Sequence, residues 1–175
     1  MTHPSNGGKS TERRRWTTGQ QWLLGVASIG PVGNLPASGS WAVVLIGVPL
    51  FAILHGISPP VYLLLLFVLA LVAVAVHQAG DRLLGTHDSP RLVWDEIVGF
   101  LTAVFAVPFT WQTCLVAFIV ERALDVAKIP PAGLIERRLP GGWGVVGDDL
   151  IAGIYTCVLL HVLRWQVPGW LGLSG

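Results

Sequence analysis

Charged residues are scarce in this sequence of 175 residues. Asp, Glu, Lys and Arg together make up 12% of it, about half the share that is typical of soluble globular proteins. The mean hydropathy is +0.65, which is too apolar for an ordinary soluble domain. Apolar runs recur through most of the length, so the sequence predicts one integral membrane domain.

Basic charge and cysteine are also scarce. The net charge is only +1 at pH 7, and no broad basic surface is available to nucleic acid, so we expect no nucleic-acid partner. No obligate protein partner is evident. The 2 cysteines, Cys114 and Cys157, lie in apolar runs without metal-ligand spacing, which predicts buried apolar side chains rather than a metal site.

The apolar runs predict an all-α, polytopic membrane helix bundle with about five transmembrane helices. Residues 1–19 are polar and lack the pattern of a removable signal peptide, so a disordered cytoplasmic tail is expected there. Residues 20–30 are too short to cross a hydrocarbon core of ~30 Å, which predicts an interfacial or re-entrant helix. The predicted spans, within a single membrane domain covering residues 20–175, are residues 41–56, 61–76, 92–107, 111–127 and 150–165.

Charged side chains are predicted to concentrate on one face of this bundle. With these spans, all of the 11 Lys and Arg except Arg164 fall on the side of the N-terminal tail, which the positive-inside rule assigns to the cytoplasm. All 10 acidic residues fall on that same side. Acids that served only to solvate the ends of the bundle would be expected on both faces. We therefore expect the functional site at the cytoplasmic face.

Three acidic helix ends are predicted to meet at this face. Ionisable groups at the mouth of a hydrophobic helix are costly and usually mark a functional site. Arg122 and Lys128 lie among them in the sequence, so basic groups accompany the acids. The acids concerned are Asp88, Asp95, Glu96, Glu121, Asp125, Asp148 and Asp149.

Clustered carboxylates suggest a hard, oxygen-ligated cation such as Mg²⁺, which would offset their mutual repulsion. Mg²⁺ beside Arg and Lys suits phosphoryl chemistry. Alternatively, the pairs Asp95-Glu96 and Asp148-Asp149 only cap their helices and favour the N-terminal dipole. The glycines 141, 142 and 144 either form a flexible loop or let backbone N–H groups approach a phosphate. The joint pattern of three acidic helix ends favours a functional site over capping alone.

Three blocks of this sequence resemble the phosphatidylglycerophosphatase A family. They are HDSPRLVWDEIVG, ERALDVAKIPP and GGWGVVGDDLIAG, and the similarity covers about residues 20–165. The resemblance implies a Mg²⁺-dependent lipid phosphatase of the bacterial inner membrane, with its active site facing the cytoplasm. Its substrate would be a phospholipid, phosphatidylglycerophosphate, whose terminal phosphate is removed to give phosphatidylglycerol.

The converging acids and the resemblance together suggest a role for each residue. The predicted metal ligands, directly or through water, are Asp95, Glu96, Asp148 and Asp149. The predicted phosphate-binding residues are Arg122, Lys128, Gly141, Gly142, Gly144 and Ser40. The predicted catalytic residues are Asp88, Asp95, Glu96, Asp125 and His87. Among these, Asp88, Asp125 or His87 would position water or protonate the leaving oxygen. Direct attack by metal-activated water is preferred, with an aspartyl-phosphate intermediate as the alternative.

The sequence departs from the family pattern at several positions. Ala37 and Ser38 replace Gly and Thr in the early loop, where Ser40 matches. Glu121 stands where the family has an aromatic residue, and Glu136 stands where Asp is common. Both glutamates are therefore kept out of the predicted site.

Three other functions fit the sequence less well than a lipid phosphatase. A small cation or proton transporter is the main alternative, although transporters usually place ionisable groups near the middle of the membrane rather than at helix ends. A CDP-alcohol phosphotransferase would need an Asp-Gly-x-x-Ala-Arg core, which is absent from this sequence. A structural membrane subunit would not need the acids.

Overall fold

A computed structural model describes residues 16–173, and every regular element in that range is helical. The helices are α1 (Thr18–Ala27), α2 (Ser38–Ala42), α3 (Val48–Leu54), α4 (Pro59–Leu84), α5 (Trp94–Ala103), α6 (Trp111–Ala127), α7 (Ala132–Arg138) and α8 (Gly142–Gln166). A π-helical turn, Val43–Gly47, joins α2 to α3. The all-α prediction is confirmed over this range. Residues 1–15 of the predicted tail lie outside the described residues.

Local sequence signals explain where several helices begin and end. Thr17 and Gln20 form a capping box at the start of α1, in which each side chain accepts a hydrogen bond from the other residue's backbone N–H. Helix α4 begins at a pair of prolines and ends at Leu84, and Gly85, with a φ of 73°, caps it in the left-handed conformation. Thr110 caps α6 by accepting from the backbone N–H of Thr113 at 3.0 Å.

Two helices in the described part of the chain, α4 and α8, are long and apolar enough to cross a membrane. They have 26 and 25 residues. The segment Ser38–Leu54 is a shorter apolar helix, and α5 has only 10 residues, fewer than the predicted span. The prediction of about five transmembrane helices is therefore not confirmed.

Helix α5 is short and lies at the centre of the bundle, enclosed by other helices. Eight of its residues are buried, including the large side chains of Phe100 and Leu101. It packs most extensively against α8, and also contacts α2, α4 and α6. A helix surrounded by protein does not need the length of a bilayer to satisfy its apolar surface. This central position brings the first turn of α5 to the ends of its neighbours.

Glycine permits the close contact between α5 and α8. A Cβ added at Gly153 would collide with the backbone oxygen of Gly99 and would lie 2.8 Å from the Cβ of Thr102. We expect Gly153→Ala to lower the free energy of unfolding by about 1–3 kcal/mol, because the helices would have to separate. Thermal unfolding in detergent measures the change. The control is Gly25→Ala in α1, where nothing lies within 4 Å; if both variants unfold together, the contact is not tight.

The segment between α6 and α8 is more helical than the sequence indicates. The stretch between the last two predicted spans, residues 128–149, contains α7 and the first eight residues of α8. Helix α8 starts at Gly142, so its first turn has no acidic residue. Asp148 and Asp149 lie about two turns further on. The capping interpretation is therefore wrong for this pair, whereas Asp95 and Glu96 do lie in the first turn of α5.

Candidate active site

A cavity of about 220 Å³ lies between the loop after α4 and helices α5, α6, α7 and α8. Carboxylates dominate its lining, and the amine of Lys128 is the basic group on its wall. The cavity brings together the four predicted metal ligands and two of the predicted acid–base residues. Its lining residues are Asp88, Asp95, Glu96, Asp125, Val126, Lys128, Glu136, Val145, Asp148 and Asp149.

The last turn of α4 fixes the loop that carries Asp88. The carboxylate of Asp81 is buried there and accepts hydrogen bonds from the backbone N–H groups of Asp88 at 3.0 Å and Ser89 at 3.1 Å. Asp88 itself has a left-handed φ of 55°. Partial burial at the cavity rim, together with the Asp95 carboxylate, raises the pKa of Asp88. A carboxyl group with a raised pKa is suited to holding a proton at this rim.

The first turn of α5 carries the two acids at the centre of the cavity wall. Asp95 and Glu96 lie at the positive end of the helix dipole, which favours negative charge there. The Oδ1 of Asp95 lies 3.0 Å from Nε2 of His77, a fully buried residue of α4. A side chain at Gly39 would collide with the carboxylate of Glu96. Asp95 is therefore held from outside its own helix, and the Glu96 carboxylate packs closely against the backbone at Gly39.

Arg122, on α6, lies at the junction of four carboxylates. Its Nη2 is 2.7 Å from Oε1 of Glu121 and 3.2 Å from Oδ1 of Asp149. Its Nη1 is 3.5 Å from Oδ2 of Asp125 and 3.7 Å from Oε1 of Glu96. A guanidinium group has a fixed planar set of donors that suits carboxylate and phosphate oxygens. Arg122 is thus placed to exchange some of these contacts for a phosphate.

Lys128 brings a positive charge to the cavity wall itself. It follows α6 in a left-handed conformation with φ of 46°. Its Nζ is 3.0 Å from Oδ2 of Asp148 and 2.5 Å from Oε2 of Glu136. Limited burial lowers the pKa of Lys128, but these two carboxylates outweigh that effect and raise it. The amine therefore stays protonated.

The donor set of the cavity fits a hard divalent cation. Within residues 16–173 no three acidic, His or Cys side chains already converge as a metal site, and Arg122 and Lys128 engage several of the carboxylates. However, Oε2 of Glu96 and Oδ1 of Asp148 are buried without a hydrogen-bond partner. Unpaired buried carboxylate oxygens are costly, and oxygen ligands are those that Mg²⁺ prefers. The excess of acids over bases therefore leaves room for added positive charge.

A wider groove of about 620 Å³ adjoins the cavity. Glu96 and Val126 line both spaces, and Arg122 reaches the groove as well. Ser40 lies on the groove rather than on the cavity. The remaining groove residues form a largely apolar wall, made by Gly33, Leu35, Pro36, Ala37, Ser38, Gly39, Pro90 and Phe118.

Four other predicted site residues lie outside the cavity lining. His87 is exposed on the loop beside Asp88. The three glycines pack helices instead of lining the space. A Cβ at Gly142 would collide with the backbone of α4, and a Cβ at Gly144 would lie 2.7 Å from the backbone oxygen of Leu139. Gly141 precedes α8 with a positive φ of 58°. Close helix packing explains the residue type of Gly142 and Gly144, and the positive φ explains that of Gly141.

Sequence reasoning missed three residues of the cavity surroundings. His77 is not among the predicted site residues, although an ionisable side chain in a long apolar helix is itself a functional signal. Glu121 and Glu136 were set aside as departures from the family pattern. In the structure Glu121 binds Arg122 and Glu136 binds Lys128. The adjacent acid and base were a signal that could have found Glu121, whereas Lys128 and Glu136 are eight residues apart.

The family model described as Phosphatidylglycerophosphatase A matches residues 25–164. The chain belongs to the phosphatidylglycerophosphatase A family. The chain is 31% identical over 134 residues to Phosphatidylglycerophosphatase A of Haemophilus influenzae. This match covers 74% of this chain and 80% of the relative. It is 32% identical over 93 residues to Phosphatidylglycerophosphatase A of Escherichia coli. This match covers 53% of this chain and 54% of the relative. No solved structure matches the chain.

Membership of the phosphatidylglycerophosphatase A family confirms the resemblance found in the sequence and identifies the chain as a phosphatase. The matched residues 25–164 contain every residue that lines the acidic cavity. The cavity is therefore part of the shared family region. The family match offers nothing in favour of a transporter.

Proposed function

We propose that this chain hydrolyses the terminal phosphate of phosphatidylglycerophosphate to give phosphatidylglycerol and inorganic phosphate. The observation that carries the proposal is the acidic cavity with Lys128 on its wall, joined to a groove that has a largely apolar lining and carries Arg122. A phosphate monoester needs cationic partners for its oxygens, and a lipid substrate needs apolar surface for the rest of the molecule. The two adjoining spaces offer both.

The proposed metal is Mg²⁺, held directly or through water by Asp95, Glu96, Asp148 and Asp149. The unpaired oxygens of Glu96 and Asp148 support this assignment. When bound, Mg²⁺ polarises phosphoryl oxygens and lowers the pKa of bound water. His77 would keep the Asp95 carboxylate oriented through the contact at 3.0 Å.

The protein groups can account for binding and proton transfer. Arg122 and Lys128 would bind the phosphate oxygens, because both carry donors beside the cavity. Asp125 would orient the attacking water and accept its proton. The phosphorus–oxygen ester bond breaks as the new bond to water forms, and the leaving glycerol oxygen takes up a proton. Asp88 suits the donation of that proton, since its pKa is raised.

We also propose that the bundle spans the bacterial inner membrane about five times, with the cavity facing the cytoplasm. Leu64 and Phe67 on α4 are 62% and 61% exposed, which suits contact with lipid chains. Helix α4 ends, α5 begins, α6 ends and α8 begins on the side of the cavity. Arg82 and Arg91 also lie on this side, as the positive-inside rule requires of a cytoplasmic face.

Phosphate release from phosphatidylglycerophosphate by the purified protein in detergent tests the proposed function directly. We expect release with Mg²⁺ present, loss of nearly all of it in EDTA, and recovery when Mg²⁺ is restored in excess. The reason is that the carboxylates of the cavity repel a phosphate unless added positive charge offsets them. Absence of release from the lipid, or full activity in EDTA, would contradict the proposal.

A further inference from the structure

Glu121 is a fully buried acid that the predicted site did not include. Its side chain is 0% exposed. Its Oε2 accepts a hydrogen bond from Nε of Arg122 at 2.8 Å, and its Oε1 accepts from Nη2 at 2.7 Å. Two parallel charge-assisted bonds fix both the position and the plane of a guanidinium group. The contact therefore restricts the orientation of Arg122 more than a single ion pair would.

The neighbouring helix leaves a space that the Glu121 carboxylate fills. A Cβ added at Gly99 of α5 would lie 2.7 Å from Oε1 of Glu121 and 3.1 Å from the Cβ of Asp149. Such a distance is too short for an ordinary contact, so only glycine at position 99 admits the carboxylate without a shift. Helices α5, α6 and α8 thus pack around this acid.

The bidentate contact determines which donors of Arg122 remain for a ligand. Nε and one side of Nη2 are used by Glu121. The other terminal nitrogen, Nη1, lies 3.5 Å from Asp125 and 3.7 Å from Glu96, which is longer than a hydrogen bond. These distances leave Nη1 able to donate to a phosphate oxygen on the side of the cavity and groove.

We propose that Glu121 is a positioning residue for phosphate binding, and this inference rests on the proposed function. Glu121 holds the guanidinium plane of Arg122 so that Nη1 points toward the phosphate of the substrate. Without it, Asp125, Asp149 and Glu96 would draw the guanidinium group into other contacts. A buried ion pair contributes little net stability because both charges lose water. Orientation of Arg122 is the benefit that the pair provides.

Substitutions of Glu121 distinguish an effect on the orientation of Arg122 from an effect on folding. We expect Glu121→Gln to raise KM for phosphatidylglycerophosphate by about 10-fold or more, with a smaller change in kcat, because the binding arginine is misplaced. The amide retains one acceptor oxygen but turns donors toward the guanidinium group. Glu121→Asp keeps the charge and should recover part of the loss. Thermal unfolding of each variant in detergent checks that the fold is retained.

Two further variants test whether Glu121 acts through Arg122. We expect Gly99→Ala to raise KM in the same direction, since its methyl group displaces the carboxylate. In an Arg122→Lys background, which removes the bidentate geometry, Glu121→Gln should change KM by much less than it does in the wild-type chain. An equal effect in both backgrounds would overturn the inference, as would an unchanged KM in Glu121→Gln.

Calorimetric titration with inorganic phosphate, in the presence of Mg²⁺, distinguishes this inference from the proposed function. We expect Glu121→Gln to weaken phosphate binding relative to the wild-type protein. If the wild type releases no phosphate from the lipid but phosphate binding still depends on Glu121, the substrate proposal fails and the positioning role stands. If the wild type binds no phosphate, or if the variant binds it equally well, the positioning role is overturned.

Discussion

Asp95→Asn and Asp149→Asn are each expected to reduce the rate of phosphate release by about 100-fold or more. Each change keeps the shape of the side chain but removes one negative charge from the cavity. Asp95 and Asp149 are both 95% or more buried, with exposed fractions of 5% and 4%. Their carboxylates lie in the cavity proposed to hold Mg²⁺, where a neutral amide is a weaker ligand for a hard cation.

The measurement pairs phosphate release with the Mg²⁺ concentration needed for half of the maximal rate. Both variants should need more Mg²⁺ than the wild type, and calorimetric titration with Mg²⁺ alone should show weaker binding. Arg82→Gln, an exposed substitution in the last turn of α4, is the control and should behave like the wild type. Full activity in either Asn variant at unchanged Mg²⁺ concentration would remove that acid from the site.

Arg122→Ala is expected to have the largest combined effect on stability and activity. It leaves the fully buried Glu121 carboxylate without its partner. Breaking a buried ion pair from one side costs about 3–5 kcal/mol of unfolding free energy. The change also removes the donors proposed to bind phosphate, so the rate should fall by about 100-fold to 1000-fold.

A double variant distinguishes the loss of a pair from a general loss of packing. Glu121→Ala combined with Arg122→Ala removes both charges, so it should unfold at a higher temperature than Arg122→Ala alone. It should still lack activity. Arg164→Ala is a matched control, because Arg164 is an exposed arginine that donates to the backbone oxygen of Ala106 at 3.2 Å. If the double variant is less stable than the single one, burial of an unpaired charge is not the cause.

The sequence predicted the acidic cluster well because charge in an apolar chain is conspicuous. Asp95 and Glu96 precede an apolar run, and the structure places them in the first turn of α5 at the cavity. Asp148 and Asp149 reach the same cavity from α8. Consecutive antiparallel segments place alternate ends on the same side of the bundle. The clustering of these acids could therefore be predicted from the order of the segments alone.

The side-chain partners of the acids could not be predicted in the same way. The last residues of α4 and the loop before α5 separate His77 from Asp95, so their contact depends on how α4 and α5 rotate about their axes. Glu121 was set aside because only its residue type was visible, not the space that Gly99 leaves for it. The rotation and close packing of helices depend on the tertiary structure and cannot be predicted from local sequence patterns.

The start of α8 was misplaced because glycine usually disfavours helix. On propensity alone, Gly142 and Gly144 indicate a loop, since each costs about 1 kcal/mol relative to alanine in a helix. The structure shows why glycine is used here: the first turn of α8 lies against α4 and α7 too closely for any side chain. The tertiary contact overrides the local preference, and the helix begins eight residues before the predicted span.

For the membrane crossing proposed above, the length of α4 would set the depth of the cavity relative to the lipids. Its 26 residues extend about 39 Å, some 9 Å more than a hydrocarbon core of about 30 Å. If α4 crosses upright, that excess carries Asp81 and the Asp88 loop into the layer of lipid headgroups. A phospholipid could then present its phosphate to the cavity while its acyl chains stay in the bilayer. Membrane thickness would in that case tune the enzyme's access to its substrate.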